Sequence, residues 1–366
     1  MSPLRVVIAG GGTGGHLYPG IAVARELQSR QADAVISFAG TAKGIEARAM
    51  PVEGFALDLI RSGGLKGKSV LDRVRGAALL PLGLIDAWRI VSDRRPDLVI
   101  GVGGYSAGPV VLVAALRGVP AMLLEQNAVP GLTNRLLAPF VRAAGVTFES
   151  TRTFFGAKAF VSGNPVRPEF FGAIGAPTES DADGSIAKVL VFGGSQGAHA
   201  INVAMVEAAE ELAARGLGVR LTHQTGERDL EMVRAAYRAV GLAAEVEPFF
   251  YDMGRRIGRA DLIVCRAGAT TLAEITAVGI AAILIPLPTA TDDHQRKNAL
   301  ALSEAGAADV LLQQDMTGHV LAERIVALSA DRTRRGRMAA AARVLARPDA
   351  ARVIVDRALE LVGRSG

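Results

Sequence analysis

The stretch Lys188-Val-Leu-Val-Phe-Gly-Gly-Ser-Gln-Gly-Ala-His-Ala-Ile-Asn202 sets glycines and a hydroxyl where an apolar run ends and helical spacing begins. Residues 189–192 are short, apolar and rich in β-branched side chains, so Gly193, Gly194 and Gly197 mark a buried strand handing over to a helix. At such a junction backbone N–H groups and the positive end of the helix dipole converge on one point. The expected ligand is a phosphate or diphosphate, with Ser195 as an added donor; read alone, the same glycines serve equally as a tight turn. The chain repeats the device in Arg5-Val-Val-Ile-Ala-Gly-Gly-Gly-Thr-Gly-Gly-His16, which opens the first half as residues 189–199 open the second. Two such openings predict two nucleotide-binding-like domains facing each other, with the ligand in the cleft between them.

Two further junctions carry polar chemistry. Cys265-Arg-Ala-Gly-Ala-Thr-Thr-Leu-Ala-Glu274 has Gly268 and two hydroxyls at a helix start, with Glu274 a turn and a half in. A carboxylate there can accept both hydroxyls of a ribose, although a lone Glu at that place also reads as a solvated helix residue. Pro286-Leu-Pro-Thr-Ala-Thr-Asp-Asp-His-Gln-Arg-Lys-Asn298 follows a buried strand. The Gln295 amide, donor and acceptor together, suits sugar hydroxyls, and Asp292 and Asp293 are expected to cap the helix beginning there.

These residues need two sheets to hold them. The 366 residues are half apolar and about one-fifth charged, enough to bury two cores. Residues 4–9, 34–39, 55–60, 97–102 and 120–125 read as strands, alternating with helices at 15–30 and 107–117. Residues 69–93 read as a long helical stretch broken by Pro81 and stopped by Pro96. Strands alternating with helices predict a parallel, doubly wound sheet, with residues 10–15, 101–106 and 125–127 on its carboxyl rim. Near Ser162-Gly-Asn-Pro-Val-Arg-Pro168 the pattern breaks, and the small, acidic segment 172–185 reads as the interdomain connection. Strands then recur near 188–193, 218–223, 244–247, 261–265, 282–286 and 308–312, with closing helices at 316–329, 332–345 and 350–363.

Cys265 is the single cysteine, which excludes an internal disulfide and offers no metal-ligand spacing. Asp181 and Asp183 lie in the acidic connection and read as a solvated loop, so no metal site is expected. The start leads straight into a strand, so no export signal is expected, and no apolar run reaches the roughly 18 residues of a membrane-spanning helix. A net charge of +5 and a pI near 9.6 favour an anionic partner without choosing among a nucleotide, a nucleic acid and an acidic membrane.

Taken together in this order, residues 10–16 followed by Pro19-Gly20, Glu125-Gln-Asn127, Gly163-Asn-Pro-Val-Arg167, Gly193-Gly-Ser-Gln-Gly-Ala198, residues 266–274 and Asp292-Asp-His-Gln-Arg-Lys-Asn298 closely resemble the MurG family. Those bacterial transferases add N-acetylglucosamine from its UDP derivative to lipid I, making lipid II of peptidoglycan. The resemblance spans almost the whole chain. It implies the α/β glycosyltransferase fold called GT-B, two doubly wound, Rossmann-like parallel-sheet domains facing a cleft. Residues 1–165 would form the acceptor and membrane-facing domain and 166–346 the UDP-sugar donor domain, with a helix at 347–366 packing back on the first. It places Thr13, Gly14 and Gly15 in the first glycine turn at the cleft, Asn127 and Arg167 at donor-contacting positions and Ser195 at the diphosphate. Phe250, Gly268, Ala269, Thr270, Thr271, Leu272 and Ala273 match the uracil and ribose surroundings, Glu274 the ribose diol ligand, and His294 or Gln295 the contact to the sugar.

The implied reaction inverts the anomeric centre. An acceptor hydroxyl loses a proton as it attacks, while charge grows on the departing diphosphate. By resemblance and titration range His16 is the expected base, its alternative being a neutral His at a helix start. Ser195, the helix start at Gly197 and Arg167 or Arg266 would meet the leaving group, with no metal and no cofactor. The implied partners are the donor, the lipid-linked acceptor, an anionic membrane and other envelope-synthesis or division proteins, with no nucleic acid. A nicotinamide oxidoreductase would use Gly10, Gly12 and Gly15, but Ser37-Phe-Ala-Gly-Thr41 lacks the acidic residue that it needs. A UDP-N-acetylglucosamine 2-epimerase would share the donor site yet need no lipid acceptor, and a nucleotide sensor would leave the acceptor-side motifs unexplained.

A lipid-linked acceptor also demands a membrane surface. Lys66, Lys68, Arg73, Arg75, Arg89, Arg94 and Arg95 are mixed with Leu79, Leu80, Leu82, Leu84, Ile85 and Trp88. Some of these apolar residues must face the core, but together they surround the helix. Leu79, Leu80, Leu84 and Trp88 are therefore expected to dock peripherally on the cytoplasmic face of the cell membrane.

Overall fold

The computed structural model describes residues 2–63, 79–167, 170–171, 186–194, 198–214 and 219–364. The chain divides into two compact units, Met1–Arg167 with Arg347–Gly366, and Pro168–Ala346.

The first unit runs β1 (Arg5–Gly10), α1 (Gly14–Arg30), β2 (Val35–Gly40), α2 (Glu46–Glu53), β3 (Ala56–Leu59), α3 (Leu80–Arg94), β4 (Leu98–Gly103), α4 (Ala107–Leu116), β5 (Ala121–Glu125), α5 (Leu132–Leu137), β6 (Ala143–Val146), α6 (Glu149–Phe155) and β7 (Ala159–Val161). Its sheet is parallel throughout, in the order β3-β2-β1-β4-β5-β6-β7. Such strands are covered on both faces, which is why β1 is apolar at every position after Arg5. Val6 and Ile8 pack toward α1, whereas Val7 and Ala9 pack toward α3 and α4. Strand order reverses between β1 and β4, so the loops leaving these two neighbours diverge at their carboxyl ends, the usual place for a site in such sheets.

Pro81 does not break a helix. It sits in the first turn of α3, where its missing N–H is no loss, and the expected stretch before Leu79 lies outside the described residues. Arg61 and Asp86, and Arg94 and Asp58, pair at 2.6 Å and moor the middle and the carboxyl end of α3 to β3 and the residues just after it. The Arg61 hydrogen bond holds the Asp86 carboxyl below the usual carboxylate range.

The second unit runs β8 (Ala187–Phe192), α7 (His199–Ala214), β9 (Val219–Gln224), α8 (Leu230–Ala239), β10 (Ala244–Glu247), α9 (Met253–Arg259), β11 (Leu262–Cys265), α10 (Ala269–Val278), β12 (Ala281–Leu284), α11 (His294–Glu304), β13 (Ala308–Val310), α12 (Gly318–Ala330) and α13 (Arg332–Leu345). Its sheet is again parallel, ordered β10-β9-β8-β11-β12-β13. A last helix, α14 (Ala350–Leu361), belongs to the first unit. There Ile354, Val355, Ala358 and Leu359 join the core beneath α1, and Arg30 pairs with Asp356. Burying side chains of the Ile, Val and Leu kind contributes about 1.5–3 kcal/mol each, so the apolar face rather than the half-exposed ion pair holds α14 in place.

Candidate functional site

In the first unit the glycines serve close packing. Gly10, Gly11 and Gly12 have φ of 149°, 150° and 84°, and a Cβ on Gly10 would lie 2.5 Å from the Gly103 carbonyl oxygen. A Cβ on Gly104 would lie 2.7 Å from that of Gly11, so the turns after β1 and β4 rest backbone against backbone. Thr13 is the N-cap of α1 without a side-chain cap bond, and Gly14, Gly15 and His16 form the first turn. The His16 ring lies against Gly103, where a Cβ would come within 2.8 Å of Nδ1.

The tautomer of His16 follows from its partner. Gln126 is buried, and its Nε2 donates to the Val102 carbonyl at 3.1 Å, leaving Oε1 turned to His16 Nδ1 at 3.3 Å. Nδ1–H must therefore donate, and the lone pair of the neutral ring falls on Nε2. Beside it, the buried Glu125 carboxylate accepts Asn127 N–H and Nδ2 through Oε1, and Gly131 N–H and Asn134 Nδ2 through Oε2. That fixes the loop carrying Asn127. The Arg167 guanidinium stacks 4.7 Å above the Tyr18 ring of α1.

In the second unit Gln224, buried at the end of β9, joins two of the predicted elements. Its Nε2 donates to the Gly194 carbonyl at 3.0 Å, and its Oε1 accepts the Phe250 N–H at 2.8 Å. Ser195 and Gly197 lie outside the described residues. Phe250 is buried, with the Arg256 guanidinium 3.7 Å from its ring centroid. Gly268 is the N-cap of α10, and Ala269, Thr270, Thr271 and Ala273 stay partly exposed around its first turns. Leu272 is 2% exposed and its N–H donates to the Gly268 carbonyl at 3.0 Å, so it belongs to the interior rather than to the rim of a site. Glu274 is nearly buried, on the second turn of α10.

Three sequence readings change here. Gln295 does not offer a sugar both ends of its amide: Oε1 accepts Ala267 N–H at 3.2 Å and Leu287 N–H at 3.0 Å, leaving the amino group as the donor end. Its neighbour His294 donates Nδ1–H to the Thr291 carbonyl at 2.6 Å. Asp292 and Asp293 do not cap α11 in the expected manner, because both are left-handed, with φ of 56° and 55°, and Asp293 at the N-cap makes no side-chain cap bond. Arg266 is more strut than free cation. Its Nη1 donates to the Ile285 and Pro286 carbonyls and its Nη2 to Gln313 Oε1 at 2.7 Å, and burial lowers its pKa from the usual arginine value. Burial also pushes the Cys265 thiol well up, which makes it inert. Gln126 and Gln224 were legible only as polar residues closing buried strands, since their partners lie far away in sequence.

Two parallel, doubly wound sheets, one with a histidine on the first turn of the helix after its opening glycine turn and the other with a nearly buried carboxylate on the second turn of α10, define a nucleotide-sugar transferase of GT-B fold. Residues 6–146 match the glycosyltransferase family 28 N-terminal domain and residues 188–354 the glycosyltransferase family 28 C-terminal domain, and the chain belongs to this family. It is 46% identical to the UDP-N-acetylglucosamine--N-acetylmuramyl-(pentapeptide) pyrophosphoryl-undecaprenol N-acetylglucosamine transferase of Pelobacter propionicus, across 97% of this chain and 99% of that one. Among solved structures, MurG of Acinetobacter baumannii is 32% identical with a TM-score of 0.79, covering 98% of this chain and all of the other. A UDP-N-acetylglucosamine 2-epimerase from Neisseria meningitidis has a TM-score of 0.67 at 13% identity, covering 98% of this chain and 100% of that one, and shares the fold alone.

Proposed function

We propose that this protein transfers N-acetylglucosamine from UDP-N-acetylglucosamine to the C4 hydroxyl of the N-acetylmuramoyl-pentapeptide of lipid I, with inversion, giving lipid II and UDP. The observation that carries this reading is 46% identity over 97% of the chain to a transferase of that name, with the site motifs in register. In the reaction the acceptor oxygen forms a bond to the anomeric carbon as the bond to the diphosphate breaks. The hydroxyl proton passes to His16 Nε2, and the electron pair leaves with UDP. Ser195 and the start of α7 are the residues read as donors to the growing diphosphate charge, and Asn127 and Arg167 those read as donor contacts. Glu274 accepts the ribose hydroxyls, and the Gln295 amino group donates to the sugar. Labelled UDP-N-acetylglucosamine, incubated with and without a lipid I analogue, tests this: label must enter the lipid product only when the acceptor is present. Epimerised or freed sugar in its absence, with no transfer in its presence, overturns the reading.

The donor role of Glu274 gives a direct measurement. Glu274→Ala weakens UDP-N-acetylglucosamine binding by about 1.5–3 kcal/mol, the range for a hydrogen bond to a charged group. Calorimetry on the folded variant checks it, and unchanged affinity removes Glu274 from the site.

The protein is further read as peripheral on the inner face of the cell membrane, working beside other envelope-synthesis or division proteins. What supports this is the partition of α3: Gly83, Ala87, Ile90 and Val91 face the core, while Leu80, Leu82, Leu84, Ile85 and Trp88 are exposed at its opening turns. Leu79 just precedes them, half-buried, and Arg117 stacks on Trp88 at 4.7 Å. An apolar tip with Trp and Arg at its margin suits the headgroup level. Among the described residues no helix is long and apolar enough to cross a membrane. A variant with Leu79→Ser, Leu84→Ser and Trp88→Ser is expected to float poorly with anionic vesicles, whereas wild type floats and is released by salt. Equal flotation moves the docking surface elsewhere.

A further inference from the structure

The first glycine turn rests on a carboxylate that the mechanism above leaves unused. Glu46, the first residue of α2, is 0% exposed. Its Oε2 accepts the Gly12 N–H at 2.8 Å, and its Oε1 accepts the Thr41 N–H at 2.8 Å and the Thr41 hydroxyl at 2.9 Å. Glycines surround it: a Cβ on Gly11 or Gly40 would come within 2.5 Å of Glu46, and one on Gly44 within 2.2 Å. Glycine at these places therefore makes room for the protein's own acidic group. The Gly12 amide is thereby engaged within the protein itself. The anchored residue comes just before Thr13, the N-cap of α1, and four before His16.

We propose that Glu46 is a positioning residue for His16: by tying the glycine turn to the loop after β2, it sets where the imidazole stands relative to the acceptor hydroxyl. The assignment rests on His16 being the base. A displacement of about 1 Å at a reacting group costs on the order of 10²-fold in rate, which is the size of effect expected here.

The test uses the full chain carrying Glu46→Gln, Thr41→Val, His16→Ala, and the double variant Glu46→Gln/His16→Ala. The glutamine keeps the volume but turns an amino group toward one of the donors. Its kcat should fall about 10²-fold with KM for UDP-N-acetylglucosamine held within about twofold, and the substitution should have no further effect once His16 is gone. Thr41→Val removes one hydrogen bond and should lower kcat by about 3- to 10-fold, which keeps the question open to measurement if the glutamine variant does not fold. A rise in KM at constant kcat overturns the assignment, because the turn would then serve the donor. An equal loss of kcat in the His16→Ala background also overturns it, because Glu46 would then act on the fold at large. Unchanged kcat in both Glu46→Gln and Thr41→Val, with His16→Ala crippled, removes Glu46 and leaves the base in place. Near-normal turnover of His16→Ala removes the base, and the positioning role with it.

Discussion

His16→Ala lowers turnover by about 10²–10⁴-fold while UDP-N-acetylglucosamine affinity stays near that of wild type, the span usual for a general base removed from a site. The expectation rests on the fixed tautomer. Because Gln126 spends its amino group on the Val102 carbonyl, only its oxygen is left for Nδ1–H, and the ring presents the basic nitrogen at Nε2. Gln126→Leu should then lower kcat through a ring no longer held in that tautomer. Steady-state turnover across the pH range, paired with donor calorimetry, decides the matter. A His16 variant with near-normal turnover at every pH returns the residue to a helix-start histidine.

The second large effect concerns stability in acid. His223 is fully buried between Tyr237, whose hydroxyl is 2.8 Å from Nδ1, and Asn202, whose Oδ1 is 3.1 Å from Nε2. Burial drives its pKa down from 6.5 to about 3. The unfolded chain then takes up a proton below pH 6.5 that the folded chain refuses. The stabilisation is whole above that pH and is lost as the pH falls toward 3. At about 1.4 kcal/mol per pKa unit the full loss is on the order of 5 kcal/mol, with roughly 2 kcal/mol of it gone by about pH 5. Urea unfolding between about pH 7 and pH 5 measures it, and His223→Gln should flatten that part of the slope. The same slope in wild type and variant assigns the acid sensitivity to other groups.

The two sheets were legible because their central parallel strands are apolar without interruption: the strand read at 261–265 is Leu262–Cys265, and that read at 282–286 is Ala281–Leu284, both buried at every position. Alternation alone missed α2, whose eight residues include Pro51 and bury only Glu46 and Met50, too few to make a stripe. It also missed the short elements from α5 to β7, the longest of which has seven residues. At the site, residue types were legible but not their engagements. Gln295 reads as a free amide until the Ala267 and Leu287 amides are seen upon it, and Gln224 reads as a strand end until it bridges Gly194 and Phe250. Asp292 and Asp293 read as caps because Asp is a good N-cap residue, but local spacing does not reveal a left-handed backbone.

The return of α14 to the first unit ties folding to the order of synthesis. When residue 167 has been made, the apolar face of α1 that Ile354, Val355, Ala358 and Leu359 will cover is still bare. The 179 residues from Pro168 to Ala346 must be translated first, which at about 5–20 residues per second takes roughly 10–35 s. Throughout that interval the nascent amino-terminal unit presents an uncovered apolar groove to the ribosome exit and to any chaperone waiting there. A ribosome stalled before codon 350 would release a chain holding every residue of the candidate site but with that groove still open to aggregation.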